Sequence, residues 1–223
     1  MACVSGAGEA GPAHMLTITI EIILGLLFAV VLMNLFKRHP QPASTVPQPD
    51  LANLRPTDAR AGDVVSVSGA GDNMTDLDLT VDRYTTFGAG SRNWFEVSGL
   101  YHERRVAMRV ENEEDVEVWL HNDPRKVSVE DLGLSENDLA EMDERQNPSD
   151  NFGFDNADWY WRQSAEGNST RSDQGAPQGF YYWEFREQNG PRLLAMRKPQ
   201  GEPFTVTLFQ KIPASDVTIY RRA

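Results

Sequence analysis

The sequence has little cysteine and little histidine, and both shortages narrow what the protein can be. Cys3 is the only cysteine among 223 residues, so no intramolecular disulfide can form and the folded part must be held together by packing. Only His102 and His121 lie beyond residue 60, whereas a structural zinc site takes four Cys or His ligands. Segment 150–158, DNFGFDNAD, lacks EF-hand spacing and is interpreted as a polar loop. We predict no metal site and no cofactor.

Catalytic motifs are lacking as well. The chain has no G-x-S-x-G, no Walker phosphate-binding loop and no H-E-x-x-H, three motifs with defined catalytic or nucleotide-binding mechanics. Glu96 and Glu184 are candidates for general acid–base chemistry, because the internal repeat described below places them equivalently. A glutamate that alternates with aromatic residues on a strand normally faces solvent, and we favour that interpretation. We therefore predict no catalytic residues and no enzyme activity.

One long apolar run is present, at residues 16–36, with the sequence LTITIEIILGLLFAVVLMNLF. As a helix it is about 31 Å long, which matches a hydrocarbon core of about 30 Å. A cleavable signal peptide would have a basic start, a shorter apolar stretch and a small-residue cleavage site, and the sequence has none of these. We predict a single transmembrane helix at residues 15–36.

The residues that flank this run predict its orientation. Lys37 and Arg38 follow it directly, and Lys and Arg beside a membrane segment favour the cytoplasmic side. Residues 1–14 carry only Glu9 and His14 as polar ionisable side chains, and we predict that they form a short extracytoplasmic N-terminus. We expect a single-pass protein of the inner membrane with a cytoplasmic C-terminal domain. Whether translation starts at Met1 or Met15 stays open.

Two polar residues, Glu21 and Asn34, interrupt the apolar run. Glu21 lies close enough to the outer end to be protonated or to reach the headgroups, and the alternative is that it pairs with a partner helix beside Gly25. Asn34 is interpreted as an interfacial residue. Residues 37–59 are rich in proline, and we predict a semi-rigid spacer rather than a proline-recognition ligand, which would need a PxxP pattern with an arginine anchor.

Beyond the linker, residues 60–223 alternate apolar and polar side chains in short runs, a pattern typical of antiparallel strands. Segment 128–145 differs: Ser135 and Asp138 have the spacing of a helix-capping box, and Leu139 and Met142 form an apolar stripe that would dock on the sheet. We predict a helix in its second half. The candidate strands are 64–68, 77–85, 94–100, 105–110, 116–120, 159–163, 180–187, 193–197, 204–210 and 217–221.

An internal repeat organises these strands. Residues 94–120 align without gaps on residues 182–208, so that Glu96 falls on Glu184 and Ala107-Met108-Arg109 falls on Ala195-Met196-Arg197. Each copy would be a three-stranded meander, and because a lone sheet cannot bury its apolar face, two meanders should pack together or close up. The predicted fold is mainly β, an antiparallel β-sandwich or barrel-like domain of two similar meanders with one short helix. Duplication and chance similarity both remain open.

The order of the aromatic strands resembles the bacterial DUF4178 family, a domain family of unknown function. The resemblance covers residues 60–221 and implies a β-rich domain in membrane-associated or envelope-related settings. No activity or catalytic residue is defined for that family, so it implies none here. The motifs are Gly62-Asp63-Val64-Val65, Trp94-Phe95-Glu96, Val118-Trp119-Leu120, Tyr182-Trp183-Glu184-Phe185 and Val217-Thr218-Ile219-Tyr220.

The distribution of charged and aromatic residues indicates which classes of binding partner are favoured. Residues 111–158 hold sixteen acidic side chains against three basic ones, which argues against nucleic acid and against anionic lipid on that face. Such a surface either keeps the domain soluble, or it docks a basic partner or loosely binds cations. After Phe185, seven basic residues outnumber three acidic ones and could face the membrane or the acidic half of another copy. Five aromatic side chains are candidates for a ligand groove or for the core: Trp94, Trp119, Trp159, Trp161 and Trp183.

Two functions fit these features. The first is a membrane-tethered interaction or scaffold domain that acts through a protein partner or by self-association. The alternative is a ligand- or polymer-binding sensor that uses an aromatic groove between the meanders.

Overall fold

A computed structural model describes residues 54–221. The predicted transmembrane helix at 15–36 lies outside the described residues, together with Glu21, Asn34, Lys37, Arg38 and most of the spacer. Within 54–221 no helix combines the length and the apolar character needed to cross a bilayer.

The described chain is mainly β, as predicted, with one α-helix, α1 (Glu136–Arg145). Eleven strands account for most of the remainder. They are β1 (Val64–Val67), β2 (Leu77–Ala89), β3 (Arg92–Tyr101), β4 (Arg104–Asn112), β5 (Val116–His121), β6 (Asn151–Phe154), β7 (Ala157–Arg171), β8 (Gln178–Glu187), β9 (Arg192–Pro199), β10 (Thr205–Ile212) and β11 (Val217–Tyr220).

The strands form two antiparallel meanders. Strands β1 to β5 pair in sequence order to form the first half, and β6 to β10 pair in sequence order to form the second half. The halves join through β5 and β10, and β11 extends the first half beside β1. A second junction pairs Thr85–Ala89 of β2 with Gly167–Arg171 of β7. This junction closes β2 to β5 and β7 to β10 into a ring of eight strands.

In each half, a β-bulge allows one long strand to contribute side chains to two different cores. The β2–β3 ladder is interrupted between Val81 and Arg83, and the β7–β8 ladder is interrupted between Trp161 and Gln163. Because a bulge adds one residue to one strand, the side chains beyond it change face. In β2, Leu79 and Val81 therefore pack in a core of the first half, whereas Phe87 packs inside the ring.

Three apolar clusters result from this arrangement. The first-half core lies among β1 to β5 and β11, and the second-half core lies among β6 to β10 and the apolar stripe of α1. The ring interior is the third, and it contains side chains from β2, β3, β5, β8, β9 and β10. Leu139 and Met142 of α1 are buried, and Ser135 accepts a hydrogen bond from the Asp138 amide as a capping box. The predicted helix start and docking stripe are confirmed.

The predicted repeat aligns β4 with β9, since both have the sequence Ala-Met-Arg and lie at the centre of a meander. In the neighbouring strands the ladders place Glu96 opposite Arg109 and Tyr182 opposite Arg197. Glu96 therefore corresponds to Tyr182 and not to Glu184. The gapless alignment is wrong for this pair because the β8–β9 loop, 188–191, is longer than the β3–β4 turn, 102–103.

Two strand predictions need correction. The sequence predicts a polar loop at 150–158, but Asn151–Phe154 forms β6, whose Phe152 is buried against Phe185. Strand β7 continues to Arg171, well beyond the predicted end at residue 163. Its second half is polar and pairs with β2 at the closing junction, so backbone hydrogen bonds rather than an apolar pattern extend this strand.

Gly167 provides a test of the closing junction. A Cβ atom at this position would lie 2.5 Å from the Gly88 carbonyl oxygen and 2.8 Å from Cζ of Phe180, so Gly167→Ala should push β7 away from β2. We expect a loss of about 1–3 kcal/mol in the free energy of unfolding, measured by denaturant titration with tryptophan fluorescence. Gly153→Ala in β6 is the matched control, because nothing lies within 4 Å of its added Cβ. Equal losses in both variants would contradict the importance of this close approach.

Candidate functional site

The ring interior contains a buried ion network centred on Arg109 of β4, whose side chain is fully buried. Its Nη1 donates a 2.6 Å hydrogen bond to the Tyr182 hydroxyl, and its Nη2 donates a 3.0 Å hydrogen bond to Oε2 of Glu184. Its Nε lies 2.9 Å from Oε1 of Glu111, an ion-pair contact without hydrogen-bond geometry. The guanidinium carbon also lies 4.2 Å from the centre of the Trp94 ring. The guanidinium is therefore surrounded by acceptors and an aromatic face.

Glu184 of β8 is the acidic centre of the same network and is 0% exposed. Arg92 and Arg186 each place a guanidinium nitrogen 3.0 Å from its Oε1. The Tyr182 hydroxyl donates a 2.6 Å hydrogen bond to its Oε2. Arg92 also pairs with Glu111. Three arginines and one tyrosine thus compensate a carboxylate that has no access to water.

This arrangement fixes the protonation states of the network. Burial alone would raise the pKa of Glu184, but Arg109, Arg186 and Arg92 outweigh it and lower this pKa to about 2. Burial alone would lower the pKa of Arg109, yet Tyr182 and the carboxylates raise it above its ordinary value. Burial and the neighbouring Glu184 charge raise the pKa of Tyr182 despite Arg109. None of the three groups exchanges a proton near neutral pH.

The interpretation of Glu96 and Glu184 as solvent-facing residues is wrong. Glu184 is fully buried, and Glu96, whose side chain is 11% exposed, pairs with Arg197 of β9. The cause is closure of the ring. Because of it, one face of β3 and of β8 packs in the core of its own half and the other face packs in the ring interior, so neither face is exposed to solvent. One feature of the sequence indicates a buried polar group in the ring. Arg109 lies between the apolar residues Met108 and Val110 on the middle strand of the first predicted meander.

The five tryptophans are core residues. Trp94 and Trp119 lie in the ring interior, and the other three lie in the second-half core. Every one of them is at most 7% exposed. They therefore line no exposed groove, although Trp119 forms part of the floor at one end of the ring.

We call one open end of the ring the arginine mouth, a cavity of about 410 Å³ defined by the side chains of Arg83, Arg105, Arg171 and Arg197. Arg105 makes 2.7 and 2.9 Å hydrogen bonds to Asp82, and Arg171 makes 3.0 and 2.7 Å hydrogen bonds to Asp173. Phe87 and Phe180 form its floor. The remaining polar lining is Thr85, Glu96, Ser98, His121, Ser169, Gln178, Thr205 and Thr207.

The other end of the ring, the mixed mouth, opens on a cavity of about 700 Å³ lined by Arg92, Glu117, Trp119, Arg186 and Lys211, among others. Arg186 stacks on Trp119, with its guanidinium carbon 4.1 Å from the ring centre. Side chains of both charge signs line this mouth. It therefore has no strong preference for a cation or an anion.

The two histidines and the carboxylate of Asp155 contact other groups of the protein. Nδ1 of His121 lies 2.9 Å from the Leu208 carbonyl oxygen, and exposed His102 lies 3.8 Å from Asp72. Asp155 of the DNFGFDNAD segment pairs with Arg125 and Arg192. Over residues 54–221 no group of three or more potential ligands is placed to hold a metal ion.

The charged surface is divided less simply than the sequence suggests. The acidic side chains of α1 include exposed Glu136, Asp138, Glu141 and Glu144. Several arginines of the basic C-terminal stretch are, in contrast, engaged in ion pairs within the domain, among them Arg186, Arg192, Arg197 and Arg221. These arginines do not form a free basic face.

Comparison with protein families, with curated proteins and with solved structures found no match for this chain. The resemblance to DUF4178 therefore stays a proposal that depends on the short aromatic motifs alone.

Proposed function

We propose that this chain is a membrane-tethered binding protein without catalytic activity, whose helix at 15–36 holds the β domain at the cytoplasmic face. The main support is the buried network of Arg109, Tyr182 and Glu184. These are the most deeply placed ionisable groups of the ring, and their pKa values lie far from neutrality. General acid–base catalysis needs groups that titrate near the working pH, so this network favours a rigid framework over chemistry.

The accessibility of aromatic side chains at the surface distinguishes a scaffold from an aromatic-groove sensor. An aromatic-groove sensor needs accessible rings, and the five tryptophans are at most 7% exposed, so that form of the sensor is not favoured. Both ends of the ring are concave, and the arginine mouth is the more one-sided in charge. We therefore favour recognition of a partner or ligand by a rigid, charged domain that the anchor concentrates at the membrane.

The tether is tested by cell fractionation with a reporter fused after Ala223. The full-length chain should sediment with membranes and resist extraction by salt or alkaline carbonate, because about 20 apolar residues suffice to span a bilayer. A reporter active only in the cytoplasm should be active in this fusion. Replacing Leu26 and Leu27 with arginine should release the chain into the soluble fraction, whereas replacing both with isoleucine should not. A soluble full-length chain, or a reporter on the outside, would overturn the tether.

A further inference from the structure

We propose that the arginine mouth binds the phosphate group of a small anionic ligand. This inference deepens the proposed binding function and rests on it. Four arginines converge on one cavity in a chain whose net charge is −12. A guanidinium presents a planar fork of donors that matches phosphate oxygens and stays charged at all physiological pH values.

The arginines are available to a ligand to different degrees. Arg83 is exposed and forms no ion pair with a carboxylate of residues 54–221, although its charge helps to lower the pKa of neighbouring Asp82. Arg105 and Arg171 pair with Asp82 and Asp173, but these side chains are between 31% and 60% exposed. Both pairs are bidentate, the geometry that strengthens an exposed ion pair, but their exposure leaves the two guanidiniums open to a multivalent anion that can join or replace the aspartates.

Arg197 adds a donor that the fold leaves unused. Its Nε is buried and has no hydrogen-bond partner within the described chain, although its Nη2 pairs with Glu96. A buried unpaired donor is unfavourable, but this nitrogen has no exposed surface, so an oxygen of a bound anion reaches it only when the Arg197 side chain shifts toward the cavity. The guanidinium carbon lies 4.5 Å from the centre of the Phe87 ring, which holds the side chain at the cavity floor.

The lining also discriminates between classes of anion. Three of the four guanidiniums already pair with Asp82, Asp173 and Glu96. Their remaining donors, the guanidinium of Arg83 and the hydroxyls of Thr85, Ser98, Ser169, Thr205 and Thr207 still outnumber the two oxygens of a carboxylate. Phosphate offers three oxygens and higher charge. The volume of about 410 Å³ falls within the usual range for small-ligand pockets, and Phe87 and Phe180 would contact an apolar portion of the ligand.

Such a phosphate has two possible sources: a soluble phosphate ester or the headgroup of an anionic lipid. The probes are therefore inorganic pyrophosphate and dihexanoyl-phosphatidylglycerol, with dihexanoyl-phosphatidylcholine as the zwitterionic control. Binding would be measured by isothermal titration calorimetry on the full chain in a nonionic detergent, below the micelle concentration of each short-chain lipid.

We expect saturable binding of pyrophosphate or phosphatidylglycerol and none of phosphatidylcholine. The double substitution Arg83→Ala/Arg171→Ala should weaken binding by at least about tenfold, because two charge-assisted contacts are lost. Arg162→Ala is the matched control, since Arg162 is an exposed arginine beside the β7 bulge at the opposite mouth, and its affinity should equal wild type. Tighter binding of pyrophosphate identifies a soluble ester, and tighter binding of phosphatidylglycerol identifies a headgroup.

Absence of saturable binding for both phosphate probes would overturn the proposal. Equal weakening by Arg162→Ala and by the double substitution would also overturn it, because that result describes diffuse attraction to any arginine. Tryptophan fluorescence of each variant confirms that the fold is retained. Membrane attachment is measured separately, so a soluble chain that still binds pyrophosphate would contradict only the tether.

Discussion

Replacing Glu184 with glutamine should lower the free energy of unfolding of the β domain by about 3–5 kcal/mol, the range found when one member of a buried ion pair is removed. Glu184 has no exposed surface and accepts contacts from Arg92, Arg109 and Arg186. Glutamine keeps the shape but leaves the buried guanidinium of Arg109 with Glu111 as its remaining carboxylate partner, and it removes the charge that Arg92 and Arg186 also contact. Denaturant titration followed by tryptophan fluorescence measures the loss, because all five tryptophans lie in this domain.

Two further variants separate the network from a general effect of charge removal. Glu141→Gln on α1 breaks an exposed pair with Arg145 and should change stability by less than about 0.5 kcal/mol. Glu184→Leu combined with Arg109→Met removes both charges and should be less destabilised than the sum of the two single losses, because the partners are coupled. Additive losses would show that Arg109 and Glu184 do not depend on each other.

Acid titration gives an independent measurement of the same residue. The folded-state pKa of Glu184, about 2, lies below the ordinary value of 4.5. Its contribution to stability is therefore complete above pH 4.5 and is lost as the pH falls toward 2. In Glu184→Gln the decline in stability over this interval should be shallower than in wild type. Identical slopes would mean that Glu184 is not a charged, compensated carboxylate in the folded protein.

Trp159→Ala should also destabilise the domain by about 3–5 kcal/mol, as is usual when a large aromatic side chain is removed from a core. Trp159 is 0% exposed in the second-half core. Its indole Nε1 donates a 3.0 Å hydrogen bond to the Phe154 carbonyl oxygen, and Arg192 lies over its ring at 5.2 Å. Thermal or denaturant unfolding monitored by circular dichroism provides the measurement, since the substitution removes one fluorophore.

Trp161 provides the matched control for the role of the indole hydrogen bond. It is buried in the same cluster, but its Nε1 has no hydrogen-bond partner within the described residues. Trp159→Phe should therefore be more destabilising than Trp161→Phe, by about 1 kcal/mol, the usual contribution of one hydrogen bond. A larger loss for Trp161→Phe would contradict this assignment of the two indoles.

Local patterns in the sequence predicted the elements well where one face of a strand is polar or where a cap is present. The alternation in β1 and the capping box at Ser135 both indicated the correct element and almost the correct boundary. The sequence does not predict strand β6 because its few residues resemble a turn, and its pairing with β7 and the contact of Phe152 with Phe185 depend on the tertiary fold.

The buried network could not be predicted, because it depends on closure between distant parts of the chain. Arg109 belongs to the first half and Glu184 to the second, and no local pattern predicts that they meet. In a sheet with a core on only one face, both residues would lie on the solvent-exposed face. The apolar–polar alternation of β8 therefore predicts that Glu184 faces solvent. The unequal loops at 102–103 and 188–191 concealed the true register of the repeat in the same way.

The ring has a consequence for biosynthesis. When the first half leaves the ribosome, β2 has no closing strand and Arg109 has no carboxylate from β8, so this half alone is an incomplete product with an open edge. The two halves should thus behave as complementing fragments. Expressed separately, each half should give an insoluble polypeptide. Expressed together in one cell, they should give a folded heterodimer.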